Sequence, residues 1–145
     1  MTMGESTIMK TREVRANLDS VWKVVSDTEN EERYWTNLRD VKVVKRDGNT
    51  IVREAKVGPS GFAQRSKQTI ILEPMSAVGL TMTSDALDGE RTIRLAPAGE
   101  DGTRIEVVWK LRPKNVPRFV EGILKDQIAA VTDLALAKIA NSVER

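Results

Sequence analysis

Few residues of this chain have both the type and the setting to do chemistry, and Arg53 and Glu54 come first among them. They stand side by side in Thr50 to Val57, a stretch that otherwise reads as a strand. A carboxylate buried there would have a raised pKa and could act as general acid or base. A buried guanidinium could hold an enolate or a carboxylate. Neighbouring positions on a strand face opposite sides, so only one of the two can point inward. Neither has a partner in the adjacent sequence, and charged strand residues ordinarily face water, so the expectation is an ordinary surface ion. Asp85 falls near a strand end, and Arg94 points outward if Ile93 and Leu95 point inward. The catalytic residue, if there is one, is therefore not named by these types.

What is missing narrows the chemistry further. The chain has no cysteine and no histidine. Disulfides, thiolate nucleophiles, histidine triads and imidazole metal ligands are excluded, and neither a metal nor a cofactor is expected. The net charge of +2 is too small to argue for nucleic acid. A basic run from Arg39 to Lys67 and an acidic one from Asp85 to Glu106 read as solvated strand faces. Lys110, Arg112, Lys114 and Arg118 crowd one short segment. It could attract an acidic partner or lipid headgroups, but a solvated loop is the plainer reading. Hydrophobic residues at 40% and charged residues at 30% are ordinary for a globular chain of 145 residues, enough for one domain with one core. Residues 1–6 read as a disordered tail. A polar start without an apolar core segment, and no run long enough to span a membrane, point to a cytoplasmic protein.

The elements that must position any site follow from patterning. Ile8 to Ala16 alternates as a strand, and Asp19 is a suitable cap for a short helix to Ser26. Thr28-Glu29-Asn30-Glu31 fits a capping box, so a second short helix should run to about Trp35. Strands follow at Val41–Lys45, Thr50–Val57, Phe62–Glu73, Val78–Ser84, Glu90–Ala96 and Thr103–Arg112. Turns at Asp47-Gly48, Gly58-Pro59-Ser60-Gly61, Leu87-Asp88-Gly89 and Gly99-Glu100-Asp101-Gly102 separate them. A long helix should begin at Asn115 or Val116, with Pro117 in its first turn. Its apolar stripe runs through Val120, Ile123, Leu124, Ile128, Val131, Leu134, Ala135, Ile139 and Val143. Short connections make the sheet an antiparallel meander, and only the last helix can cover it, so the class is α+β.

The segment Val14-Arg15-Ala16-Asn17-Leu18-Asp19-Ser20-Val21-Trp22-Lys23-Val24-Val25-Ser26-Asp27 resembles the opening of the START-like superfamily. That superfamily is also called SRPBCC or Bet v 1-like, and the resemblance extends to its polyketide cyclase/dehydrase branch. Tyr34-Trp35 resembles the aromatic close of the second helix, and Asp101-Gly102-Thr103 with Val107 and Trp109 resembles the penultimate hairpin. The resemblance covers about residues 6 to 142. It implies the helix-grip fold: a curved antiparallel sheet of six to seven strands wrapped on a long C-terminal helix, with two short helices after the first strand. It also implies a cavity between sheet and helix for lipids, isoprenoids or polyketide-like molecules. Most such cavities bind or carry, and a minority catalyse cyclisation or dehydration. Some relatives are chaperone activators or ribosome-linked factors, for which a filled core would be expected.

Strand parity supplies a candidate lining. Leu80, Met82, Ile93, Leu95, Ile105, Val107 and Trp109 share the inward face with Gln64, Ser66 and Gln68, while Arg65, Lys67 and Thr69 face water. Trp35, Phe119 and Ile123 complete the candidate ligand-binding set. Trp35 and Tyr34 could gate the mouth, or Trp35 could staple the second helix to the sheet. An apolar wall with a neutral-polar end suits an amphipathic small molecule bearing a hydroxyl, ketone or amide. The ligand, any reaction and the oligomeric state lie beyond the sequence.

Overall fold

The computed structural model describes residues 5–58 and 64–144. Seven strands form one sheet in the order β1-β7-β6-β5-β4-β3-β2, every neighbouring pair antiparallel. They are β1 (Ser6–Val14), β2 (Leu38–Asp47), β3 (Thr50–Val57), β4 (Gln64–Glu73), β5 (Ala77–Thr83), β6 (Leu87–Ala98) and β7 (Gly102–Pro113). A helix α1 (Leu18–Val25) and a 3₁₀ helix (Thr28–Arg33) follow β1, and the long helix α2 (Arg118–Val143) ends the chain. This is the helix-grip fold, with the sheet's buried face turned to the helices. No described helix is long and apolar enough to cross a membrane.

Alternation along the strands decides which face is buried. In β4, Ser66, Gln68, Ile70 and Leu72 are buried and the residues between them exposed. In β7, Thr103, Ile105, Val107, Trp109 and Leu111 are buried. The β2–β3 hairpin turns at Gly48 with φ +59°, the left-handed conformation that Asp-Gly turns require. At the sheet edge, β2 is broken by bulges and carries Lys42, Lys45 and Arg46, features that discourage pairing with another chain.

Several local expectations are corrected. Asn17, not Asp19, caps α1: its Oδ1 accepts from the Ser20 N–H at 2.8 Å, while Asp19 sits in the first turn and pairs with Lys23. The second helix is 3₁₀, and Glu31 does not close a capping box, because its carboxylate is taken by two arginines. Leu87-Asp88-Gly89 lies inside β6 rather than in a turn. A Cβ at Gly89 would stand 3.2 Å from both the Met82 Cε and the Lys110 carbonyl, so a bare glycine there leaves room for the Met82 methyl. Pro117 precedes α2 instead of lying in its first turn, after Asn115 has turned the chain at φ 56°. Of the expected tail, Glu5 pairs with Arg112 and Ser6 opens β1, while residues 1–4 fall outside the described part. Most of the Gly58-Pro59-Ser60-Gly61 turn and the start of the expected strand at Phe62 also lie outside it.

The helix α2 meets the sheet unevenly. Ile128, Thr132, Ala135, Leu136, Ile139 and Ala140 are buried, packed toward β1, β7 and α1. None of the residues from Arg118 to Gln127 is buried. The stripe read from the sequence is therefore split: its second half is core, apart from the exposed Leu134, and its first half stands off the sheet.

Candidate functional site

Where α2 stands off, a cavity of about 560 Å³ opens between it and the sheet. Volumes of about 300–1,000 Å³ are usual for small-molecule sites. Val57, Gln64, Ser66, Met82 and Ser84 line it from the sheet side, with Asn37, Gly58, Ala86 and Leu87 at the end. Val116, Val120, Ile123, Leu124, Gln127 and Ile128 line it from the helix side. Spacing of three and four residues sets these last side chains on one face of the helix. Ile123 remains 61% exposed, so the cavity communicates with solvent along α2.

Beneath the cavity lies a smaller gap of about 20 Å³, which shares Asn37, Val57 and Met82 with it. Two rows of cross-strand partners floor this region. One runs Arg53, Gln68, Met82, Gly89 and the next runs Ile51, Ile70, Leu80, Arg91, Trp109. Both arginines are buried, Arg53 at 1% exposure and Arg91 at 2%. Glu31 from the 3₁₀ helix divides its carboxylate between them, Oε1 to Arg53 Nη2 at 2.7 Å and Oε2 to Arg91 Nη2 at 2.8 Å. Arg53 also donates from Nε to Gln68 Oε1 and from Nη1 to the Thr28 carbonyl, each at 2.7 Å. Gln68 passes the chain on to the Ser66 hydroxyl, at 3.4 Å, and Ser66 lies in the cavity wall.

Burial pushes the Arg53 pKa down from its ordinary value; Glu31 opposes that shift and Arg91 adds to it. Arginine keeps its proton regardless. The triad therefore holds two cations and one anion away from water. Trp35 lies 4.7 Å from the Arg91 guanidinium and Trp109 lies 5.9 Å from it, within cation–π range. The two rings meet edge to face at 5.9 Å. The Trp109 Nε1–H donates to the Thr132 hydroxyl at 3.0 Å, which ties this floor to α2.

Of the residues expected to bind ligand, Gln64, Ser66, Met82 and Ile123 line the cavity, and Trp35, Gln68, Leu80, Met82 and Trp109 line the gap. Gln64 lies at the rim, its Oε1 accepting from the Ala86 N–H at 3.1 Å. Ile93, Leu95, Ile105 and Val107 line neither space. The second half of α2, together with α1, closes over their end of the sheet and makes them packed core. Phe119 also lines neither, and at 72% exposure it faces solvent on the far side of its helix. Trp35 is a buried staple rather than a gate. Tyr34 reaches Ser142, at the other end of α2, with an oxygen separation of 3.3 Å.

The expectation of a surface ion fails at Arg53, which shares the parity of the buried Ile51 and Ala55. Arg91 was legible in the same way, between Gly89 and Ile93 on the buried face of β6. Glu31 carried no such signal. Among the described residues no three-residue cluster suited to a metal occurs.

Comparison with known proteins comes down to one family and a common fold. The family described as "Polyketide cyclase / dehydrase and lipid transport" matches residues 6–144. No curated protein matches. The protein TTHA0849 from Thermus thermophilus is similar in structure at a TM-score of 0.81 and 17% identity, covering 95% of this chain and 97% of that one. The Zhui aromatase/cyclase from Streptomyces sp. R1128 gives 0.76 at 14% identity, with 97% and 92% covered. Norcoclaurine synthase from Thalictrum flavum gives 0.69 at 20% identity, with 97% and 84% covered.

Proposed function

The chain belongs to the polyketide cyclase/dehydrase and lipid transport family, and on that premise we propose that it binds and carries a hydrophobic or amphipathic small molecule. The ligand class is lipid, isoprenoid or polyketide-like, held between the sheet and the first half of α2. One observation carries the reading: an open cavity of about 560 Å³ whose helix wall, from Val116 to Ile128, is apolar apart from Gln127. Binding draws on the removal of apolar area from water, about 25 cal/mol per Å² at most, while Asn37, Gln64 and Ser66 give the wall a polar end. A filled core would have favoured a protein-interaction module, and the hollow speaks against it.

A cyclase or dehydratase activity is the second reading, since two structural neighbours are named as enzymes. Among the described residues that line the cavity none ionises, so acid–base chemistry finds no side chain in its wall. Beneath it Arg53 and Arg91 keep their protons, and the Glu31 carboxylate is taken up between them. Binding is the better supported of the two.

Leu124→Glu tests the reading. The position lies in the part of α2 without buried residues, so the fold should tolerate the change, whereas a carboxylate would intrude on the apolar wall. Titration with the neutral probe N-phenyl-1-naphthylamine should show binding to the parent protein and at least tenfold weaker binding to the variant. Equal binding by a folded variant would contradict the site.

A further inference from the structure

We infer that Arg91 is the receptor for the carboxylate of an amphipathic acid whose apolar remainder lies in the cavity. The inference rests on the carrier reading above and names the ligand's head group.

The buried triad is unbalanced. Arg53 and Arg91 bring two positive charges and Glu31 one negative, so a net charge of +1 is held out of water. The two arginines are not equally served. Arg53 has hydrogen-bonded acceptors for Nε, Nη1 and Nη2. Arg91 has a single bond, from Nη2 to Glu31, and its buried Nε has no partner among the described residues. A buried donor left unmade costs about 1–3 kcal/mol, and more on a charged group. The faces of Trp35 and Trp109 steady the cation, but ring faces do not take up an in-plane N–H.

Arg91 is also one of the residues around the small gap, whose volume of about 20 Å³ is roughly the room of one water-sized oxygen. Only Asn37, Val57 and Met82 are common to the gap and the cavity above. Met82 is the movable part of that boundary, an unbranched thioether whose methyl lies against a residue without a side chain. An acid entering tail-outward along α2 would bring one carboxylate oxygen to the Arg91 Nε and offset the surplus charge. An alcohol would bring an oxygen but no charge, and an amine would add to the surplus. The site therefore selects anions over neutral molecules of equal length.

Decanoate and 1-decanol, titrated separately into the whole protein at pH 7, decide the matter. Decanoate should bind at least tenfold more tightly. In Arg91→Met, Glu31 and Arg53 remain as a neutral pair, so the fold should survive. The preference for decanoate should vanish, because decanoate loses a charged partner and 1-decanol at most a neutral hydrogen bond. Equal affinities in the parent protein, or a preference that survives in Arg91→Met, would overturn the assignment. If neither compound binds, the carrier reading fails and the assignment with it. Should Arg91→Met not fold, decanoate labelled with ¹³C at its carboxyl gives the answer in the parent protein. Beside Arg91 the bound carboxyl should titrate below the free acid, because a neighbouring cation favours the charged form. A value above the free acid would place it in the apolar cavity, away from the arginine.

Discussion

The two halves of α2 are one helix doing two jobs. From Ile128 onward it buries a residue on nearly every turn, against β1, β7 and α1. From Arg118 to Gln127 it buries none, yet Val120, Ile123 and Leu124 remain apolar over the open cavity. Stability and binding thus occupy different lengths of one element. The Arg53–Glu31–Arg91 triad lies at the seam, fastening the 3₁₀ helix to the sheet below the cavity.

Breaking the seam should have the largest effect. Glu31→Gln leaves two buried guanidiniums without a counter-charge and should cost about 3–5 kcal/mol in urea unfolding. A loss under about 1 kcal/mol would mean that the triad is not holding the 3₁₀ helix. The contrast along α2 comes next. Ile139→Ala, in the packed half, should lose about 2–5 kcal/mol. Ile123→Ala, in the open half, should stay within about 0.5 kcal/mol of the parent while weakening probe binding. Similar stability losses at the two sites would erase the distinction.

A smaller effect concerns the approach to α2. Asp88 accepts hydrogen bonds from Lys114 and Thr83, in that order of effect, and these hold its pKa below the ordinary aspartate value of 3.8. A carboxylate with a lowered folded pKa adds stability above its unfolded value and loses it as pH falls through the folded one. Asp88→Asn should therefore reduce stability at pH 6 by less than about 1 kcal/mol, the pair being partly exposed, and by progressively less as pH falls below 3.8. A deficit that does not shrink on acidification would point to lost packing instead of lost charge.

Much of this architecture was readable from the residue pattern. Alternation named the buried faces of β4, β5, β6 and β7, because a strand half in water must alternate, and left that of β3 open. The same rule applied to Arg53, beside Ile51 and Ala55, and to Arg91, beside Ile93, would have turned both inward, but Arg53 was expected at the surface and Arg91 was not singled out. What overrode it was the general tendency of charge to face water, which holds until a partner is available. The partner, Glu31, lies 22 residues from Arg53 and 60 from Arg91. Its own neighbourhood fits a capping box, so local sequence pointed elsewhere. The apolar stripe of α2 was likewise legible, but periodicity records which residues avoid water and not whether protein or ligand covers them. Phe119 lies beyond that stripe, and nothing in its spacing separated it from Val120.

Amide hydrogen exchange along α2, with and without decanoate, tests the division most directly. In the free protein, amides from Arg118 to Gln127 should exchange well before those from Ile128 to Val143, because local opening is easiest where little is buried. Saturating decanoate should slow the first group and leave the second nearly unchanged. Uniform exchange along the free helix, or protection by ligand confined to the second half, would contradict a cavity beneath the first.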